Sequence, residues 1–440
     1  MADNFFPKSV QQFDQLYNKI EKKSYTDQKI QEIKNIAWDY FLSTGLPLHR
    51  RGNEEWKYTN LNPISEINFN LNQSNSEIKE INKLIPISSD WHNIIFIDGK
   101  ISNQNFISNK EIIISKIDSI NLPDEFATLA KPDSSPFTAL NTAFFSEGIL
   151  IEIPDNVILQ KDLNITFVNS NFSENLITFP RVFLKCGENS ELKLIENYIN
   201  LSNSVNLTLP VLEIVQSKNS KIEHFRVQIE NPYSFNIAST RILQKSNSNF
   251  FSTSFSTGAK IGRNDIHVLL DAPEAECGLY GLYISNGDQQ QDSEISTTHS
   301  KPNCTSKQYY KGILSGNSKA VFSGKILVDK DAQQSDADQK DLNLLLSRNS
   351  EVYTKPSLEI YADDVTCAHG ATAGNIDMDT LFYLQTRGLD LETAKGILIK
   401  GFAEEMINRF KPKDLRNYIS NFIDDLIPVL RDQSDTIGTF

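Results

Sequence analysis

Cys367 and His369 stand two residues apart within Ala362 to Thr372, which reads ADDVTCAHGAT. If this segment is a β-strand, both side chains project to one face, roughly 6–7 Å apart along the chain. Thiolate and imidazole both suit iron, and Asp363 or Asp364 offers a carboxylate to complete a ligand set. A plain structural reading fits the same residues, because free cysteine is among the most buried residue types and a lone histidine is commonly hydrogen-bonded in place. His299 and Cys304 form a second pair, but Pro302 lies between them and a simple turn accounts for their spacing.

Other chemistries lack their residues. A phosphate-gripping loop needs glycine five positions before Gly324-Lys325, where Lys319 stands, and Ile326 takes the place of Ser or Thr. The chain is therefore not expected to hydrolyse ATP itself. It has no nucleophile elbow of the G-x-S-x-G type and no H-E-x-x-H zinc helix. Asp336, Asp338 and Asp341 would serve a carbohydrate-active enzyme only if they faced each other across a substrate groove. A solvated loop carrying the same acids is the alternative.

The elements that must position these residues are strands. From Gly148 onward short β-branched runs alternate with turns, as in Ile149–Ile153, Arg181–Lys185 and Val211–Val215. Asn-Ser turns recur at Asn189, Asn219, Asn247, Asn317 and Asn349, with spacings of 30, 28, 70 and 32. Taking 70 as two periods puts a missing turn at Pro273–Cys277. A strand repeat near 30 residues without intervening helices predicts a right-handed parallel β-helix whose rungs bury one continuous core. A β-sandwich with chance Asn-Ser turns is the alternative.

Residues 1 to 147 read as a mostly helical region with a few strands, 148 to 374 as the β-helix, and 375 to 440 as a helical domain. In the first region Ile30, Ile33, Ala37 and Phe41 share a helix face that Gly45 and Pro47 terminate, residues 94 to 98 make a strand, and Asn68 to Asn75 make a loop. After Gly374 come a helix over Asp379–Thr386, a second capped by Asp390, and a third opening near Pro412 with a Leu415, Ile419, Phe422, Leu426 stripe. Helices at both ends are expected to cap the exposed strand edges of the solenoid.

Composition bounds the partners. With 43 Lys+Arg against 56 Asp+Glu, the net charge of -13 disfavours nucleic acid. No segment is apolar enough to span a membrane and no secretion signal is read at the start. Four scattered cysteines, Cys186, Cys277, Cys304 and Cys367, with no Cys-x-x-Cys pair, suggest neither disulfides nor a zinc knuckle, so a cytoplasmic location is expected.

Several ordered blocks resemble the SufB/SufD family of the SUF iron-sulfur cluster assembly system. They are Ala362–Thr372, Leu381–Gly388 (LFYLQTRG), Cys277–Tyr283 (CGLYGLY), His299–Cys304 (HSKPNC), Tyr310–Leu314 (YKGIL), Phe322–Ile326 (FSGKI) and Glu54–Thr59 (EEWKYT). The resemblance implies a β-helix between helical terminal regions and a non-catalytic scaffold subunit that supports cluster assembly and iron acquisition. It implies a heterodimer with a SufB-like paralogue and a SufC-like ABC ATPase docked on the C-terminal helices, where ATP would be hydrolysed. SufB-type members carry a cysteine in the region of Ala332 to Leu344, and this stretch has none, so the chain looks like the D-type subunit. By the same resemblance His369 and Cys367 are candidate ligands of iron or a nascent cluster at the partner interface. That cluster is held transiently in the complex, and no cofactor is expected tightly bound to the isolated chain. A homodimer through the exposed solenoid edge is the structural alternative.

Overall fold

The computed structural model describes residues 8–19, 28–48, 53–71, 85–102, 107–117, 122–170 and 175–432. Its centre is a parallel β-solenoid in which the chain alternates between two sheets. The first sheet runs in the order Glu351–Ile360, Lys319–Val328, Gln290–His299, Ile261–Leu270, Phe235–Gln244, Val211–Gln216, Arg181–Cys186, Gly148–Ile153 and Ile113–Lys116. The second runs in the order Val365–Gly374, Ser335–Leu345, Thr305–Leu314, Glu276–Ser285, Asn249–Thr257, Lys221–Ile229, Glu191–Asn200, Leu163–Asn169, His92–Ile97 and Lys100–Ile101. Inward-facing residues such as Ile151, Leu184, Leu194, Ile214, Phe250 and Phe322 fill the space between them.

The turn repeat has a physical cause. Asn156, Asn189, Asn219, Asn247, Glu274, Asn303 and Gln334 all adopt left-handed backbone, with φ between 54° and 63°. Asparagine tolerates this conformation better than other residues that carry a Cβ. Asn189, Asn219 and Asn247 each donate from Nδ2 to the asparagine one rung earlier, at 2.8–2.9 Å. Glu274 confirms the missing turn at Pro273–Cys277. The interval of 70, however, is not two periods of one column. Asn317 and Asn349 lie on the opposite edge, where Asn349 donates to Asn317 at 3.1 Å and Asn317 to Asp288 at 3.2 Å. There Gly316 takes the left-handed position, at φ 68°. Asn-Ser pairs mark turns on both edges, so sequence spacing alone merges two ladders.

The terminal helices cover the faces of the solenoid rather than capping its ends. On the first sheet, α1 (Lys8–Lys19), α2 (Gln28–Thr44), α3 (Asn62–Glu66) and α4 (Pro136–Phe144) pack over Phe183, Val215, Ile237 and Ile261. Buried ion pairs staple this layer down. Arg181 bonds Glu213 at 2.5 Å and Thr142 at 3.0 Å, while Glu213 accepts the Ala127 and Ala130 amides. Arg263 stacks on Trp56 at 4.0 Å and donates to the Glu55 carbonyl. Asn70–Leu71, expected as loop, instead pairs in parallel with Leu176–Ile177; residues 72 to 75 of that loop lie outside the described residues.

On the second sheet, α5 (Met378–Thr386), α6 (Leu391–Ile407) and α7 (Lys413–Asp432) fold back along the outer face. Asp377 and Asp390 cap the first two by accepting the Thr380 and Thr393 amides. Phe410 meets Phe225, Phe422 meets Phe255, and Lys311 pairs with Glu405 at 2.8 Å. No described helix is long and apolar enough to cross a membrane.

Candidate functional site

Folding the C-terminal helices back leaves the last rung bare. Glu351–Ile360 and Val365–Gly374 each end their sheet, and among the described residues no strand pairs with their outer edges. The two edges differ. Glu351 and Tyr361 donate backwards to the Ser318 and Val328 carbonyls, so by strand alternation Pro356 stands where its N–H would point outward. Proline supplies no donor there, a common way of blunting an edge.

Val365–Gly374 has no proline. The register Asp336↔Thr366, with Asp336 donating back to Cys304, directs the even positions inward along the ladder. The backbone groups of Val365, Cys367, His369, Ala371 and Ala373 therefore face outward along the edge. Ala368, Gly370, Ala371, Ala373 and Gly374 keep this strand slim, and a Cβ added at Gly370 or Gly374 would meet nothing within 4 Å. Another backbone can approach closely here.

The side chains of Cys367 and His369 share the lumen side of this strand, because Cys367 packs against the cluster of Ile326, Val328, Ala332, Ala337 and Ala362. Burial pushes the Cys367 thiol above its ordinary range, and the Asp336 charge adds to this. His369 is exposed at the mouth. Beneath them the lumen holds Asp341, which accepts from Tyr283 at 3.1 Å and Asn343 at 2.7 Å and is pushed up to about 6 by burial.

The structure unites Cys367 and His369 but not the proposed third ligand. Asp363 and Asp364 are exposed in the preceding turn, and among the described residues no three His, Cys, Asp or Glu side chains form a metal-holding group. Any ligand held here by two side chains needs further donors from elsewhere. The second pair is structural: His299 bonds Ser306 at 2.7 Å, burial lowers it to about 4, and the Cys304 thiol reaches the Ala272 carbonyl. Asp336 and Asp338 face outward whereas Asp341 faces the lumen, so the three acids do not line one groove. An exposed solenoid edge was expected from the sequence, and the structure leaves it at the last rung. The buried trio Ser252, His224 and Glu196, joined at 3.0 and 3.1 Å, escaped sequence reading, with no spacing signal because it spans three rungs.

Two family models together match most of the chain. Residues 167–402 match the family model described as SUF system FeS cluster assembly, SufBD core domain, and residues 7–165 match the SufBD protein N-terminal region. The chain is 30% identical over 421 residues to the chloroplastic protein ABCI7 of Arabidopsis thaliana, covering 90% of this chain and 86% of that protein. It is 28% identical to the iron-sulfur cluster assembly protein SufD of Escherichia coli K12, covering 88% and 90% of the two chains. A SufBD family protein of Synechocystis is likewise 28% identical, covering 85% and 86%.

Proposed function

Because this chain belongs to the SufBD family of the SUF iron-sulfur cluster assembly system, we propose that it is the D-type scaffold subunit, pairing through its last rung with a SufB-like paralogue. The observation that carries this reading is the free Val365–Gly374 edge with Cys367 and His369 on it. Outward backbone groups over a slim strand provide for strand addition by a partner. The partner then brings the donors that two side chains lack, and a nascent cluster or iron is held between the subunits as substrate. A homodimer through the same edge is the competing occupancy for the isolated chain.

A SufC-like ATPase docks on the C-terminal helices in this reading, and ATP hydrolysis belongs to it. Met378, Phe382 and Tyr383 on α5 and Ile397 on α6 are large apolar residues left exposed on that surface. Phe382→Glu with Ile397→Glu is expected to abolish ATPase binding while leaving the inner faces of the helices packed.

Replacing His369 by Ala in the reconstituted complex tests the site. Cluster assembly is expected to fall about tenfold or more with subunit association intact. Undiminished assembly in a normally formed complex would remove His369 from the role.

A further inference from the structure

One rung below His369 lies a buried amide relay with a fixed direction. Gln308 donates from Nε2 to the Thr297 hydroxyl at 3.0 Å and to the Lys325 carbonyl at 3.3 Å. A backbone carbonyl can only accept, so the Gln308 amide is locked with its nitrogen towards Lys325 and its oxygen outward. Gln339, the register partner of His369, donates from Nε2 to that oxygen at 2.6 Å. Its own oxygen is thereby turned to the other side, and among the described residues this buried Oε1 has no partner. Gly324 makes the room, since a Cβ there would lie 2.1 Å from the Gln339 nitrogen. A fully buried amide oxygen without a donor is costly, and such a group calls for an explanation.

We propose that Gln339 is a positioning residue for His369, accepting one ring N–H and so holding the other nitrogen deprotonated towards the partner interface as a metal ligand. The inference rests on the reading of His369 as a ligand of iron or a nascent cluster. The chemistry is that of outer-shell acceptors, which fix the tautomer and ring orientation of a ligating histidine and raise its basicity. Here the accept-only Lys325 carbonyl sets the polarity, and Gln308 and Gln339 carry it outward, rung by rung, to the histidine.

The tautomer of His369 in the full-length chain, read from histidine 15N chemical shifts, tests the proposal without any metal. One tautomer is expected in the wild type, a mixture in Gln339→Leu, and the wild-type tautomer again in Gln339→Glu, whose buried carboxyl, protonated, donates to Gln308 Oε1 and keeps an acceptor for His369. If the leucine variant does not fold, Gln308→Leu decides, because it frees the Gln339 amide to turn and is expected to mix the tautomers. An unchanged tautomer in the folded variant overturns the proposal. Ferrous iron titrated into the reconstituted complex should bind about tenfold more weakly with Gln339→Leu and recover with Gln339→Glu. Equal affinity in both also overturns it. Should His369→Ala leave assembly untouched, the ligand reading fails while the tautomer result still stands.

Discussion

At the first rung the short antiparallel strands Lys100–Ile101 and Ile113–Lys116 run along the outermost parallel strands, pairing with Phe96–Ile97 and with Ile149–Glu152. At the last rung the corresponding groups of Val365–Gly374 face outward with no described strand beside them. The same parallel ladder is closed at one end and open at the other. A solenoid that terminates both ends needs nothing more to be complete, whereas a long slim edge is a template for another chain. In the proposed reading association belongs to the C-terminal rung and stability to the other end, and the comparison can be broken from either side.

The largest effect is expected at the closed end. Arg181→Met leaves Glu213 buried without its cation and should destabilise the protein by about 3–5 kcal/mol, measured by denaturant unfolding. Partner affinity of the folded fraction should be unchanged; a loss of affinity at full stability would invert the comparison. Ala371→Pro removes one outward donor from the open edge, as Pro356 does on the neighbouring strand. It should weaken association with a SufB-like partner by about tenfold, read by titration, with the unfolding midpoint moved by at most about 1 kcal/mol. Strand addition draws on these donors, and each lost hydrogen bond carries about 1 kcal/mol.

A pH slope is expected at the N-terminal staple. Burial pushes Glu294, beside Arg263, up to about 7 from its ordinary 4.5. The folded state then binds a proton that the unfolded chain releases above about 4.5, so this stabilisation is full below 4.5 and is lost as pH rises to 7. Glu294→Gln should flatten the unfolding midpoint across this window relative to the wild type. An unchanged slope would show that Glu294 is not the group responsible.

Sequence reading reached the solenoid because its cause is local. Left-handed turns select asparagine, and Asn189, Asn219 and Asn247 stack at intervals of 30 and 28 residues. The three C-terminal helices were legible from Asp390 and from their apolar stripes. Their placement was not, because whether Phe410 and Phe422 cover a rung's end or a sheet's face is decided by distant residues, Phe225 and Phe255. The site divides likewise. Strand alternation brought Cys367 and His369 to one face, but the absence of Asp363 and Asp364 from that face follows from a turn held by the Gln333 and Gln334 contacts. Gln339 lies 30 positions from His369 and becomes its neighbour only through the register.

Amide hydrogen exchange over Val365–Gly374, with and without a SufB-like partner, tests the open edge most directly. Partner binding is predicted to slow exchange in this strand at least about tenfold and to protect Glu351–Ile360 less, since Pro356 interrupts that edge. Exchange unchanged over Val365–Gly374 while the partner is bound, with protection appearing elsewhere, would contradict the account.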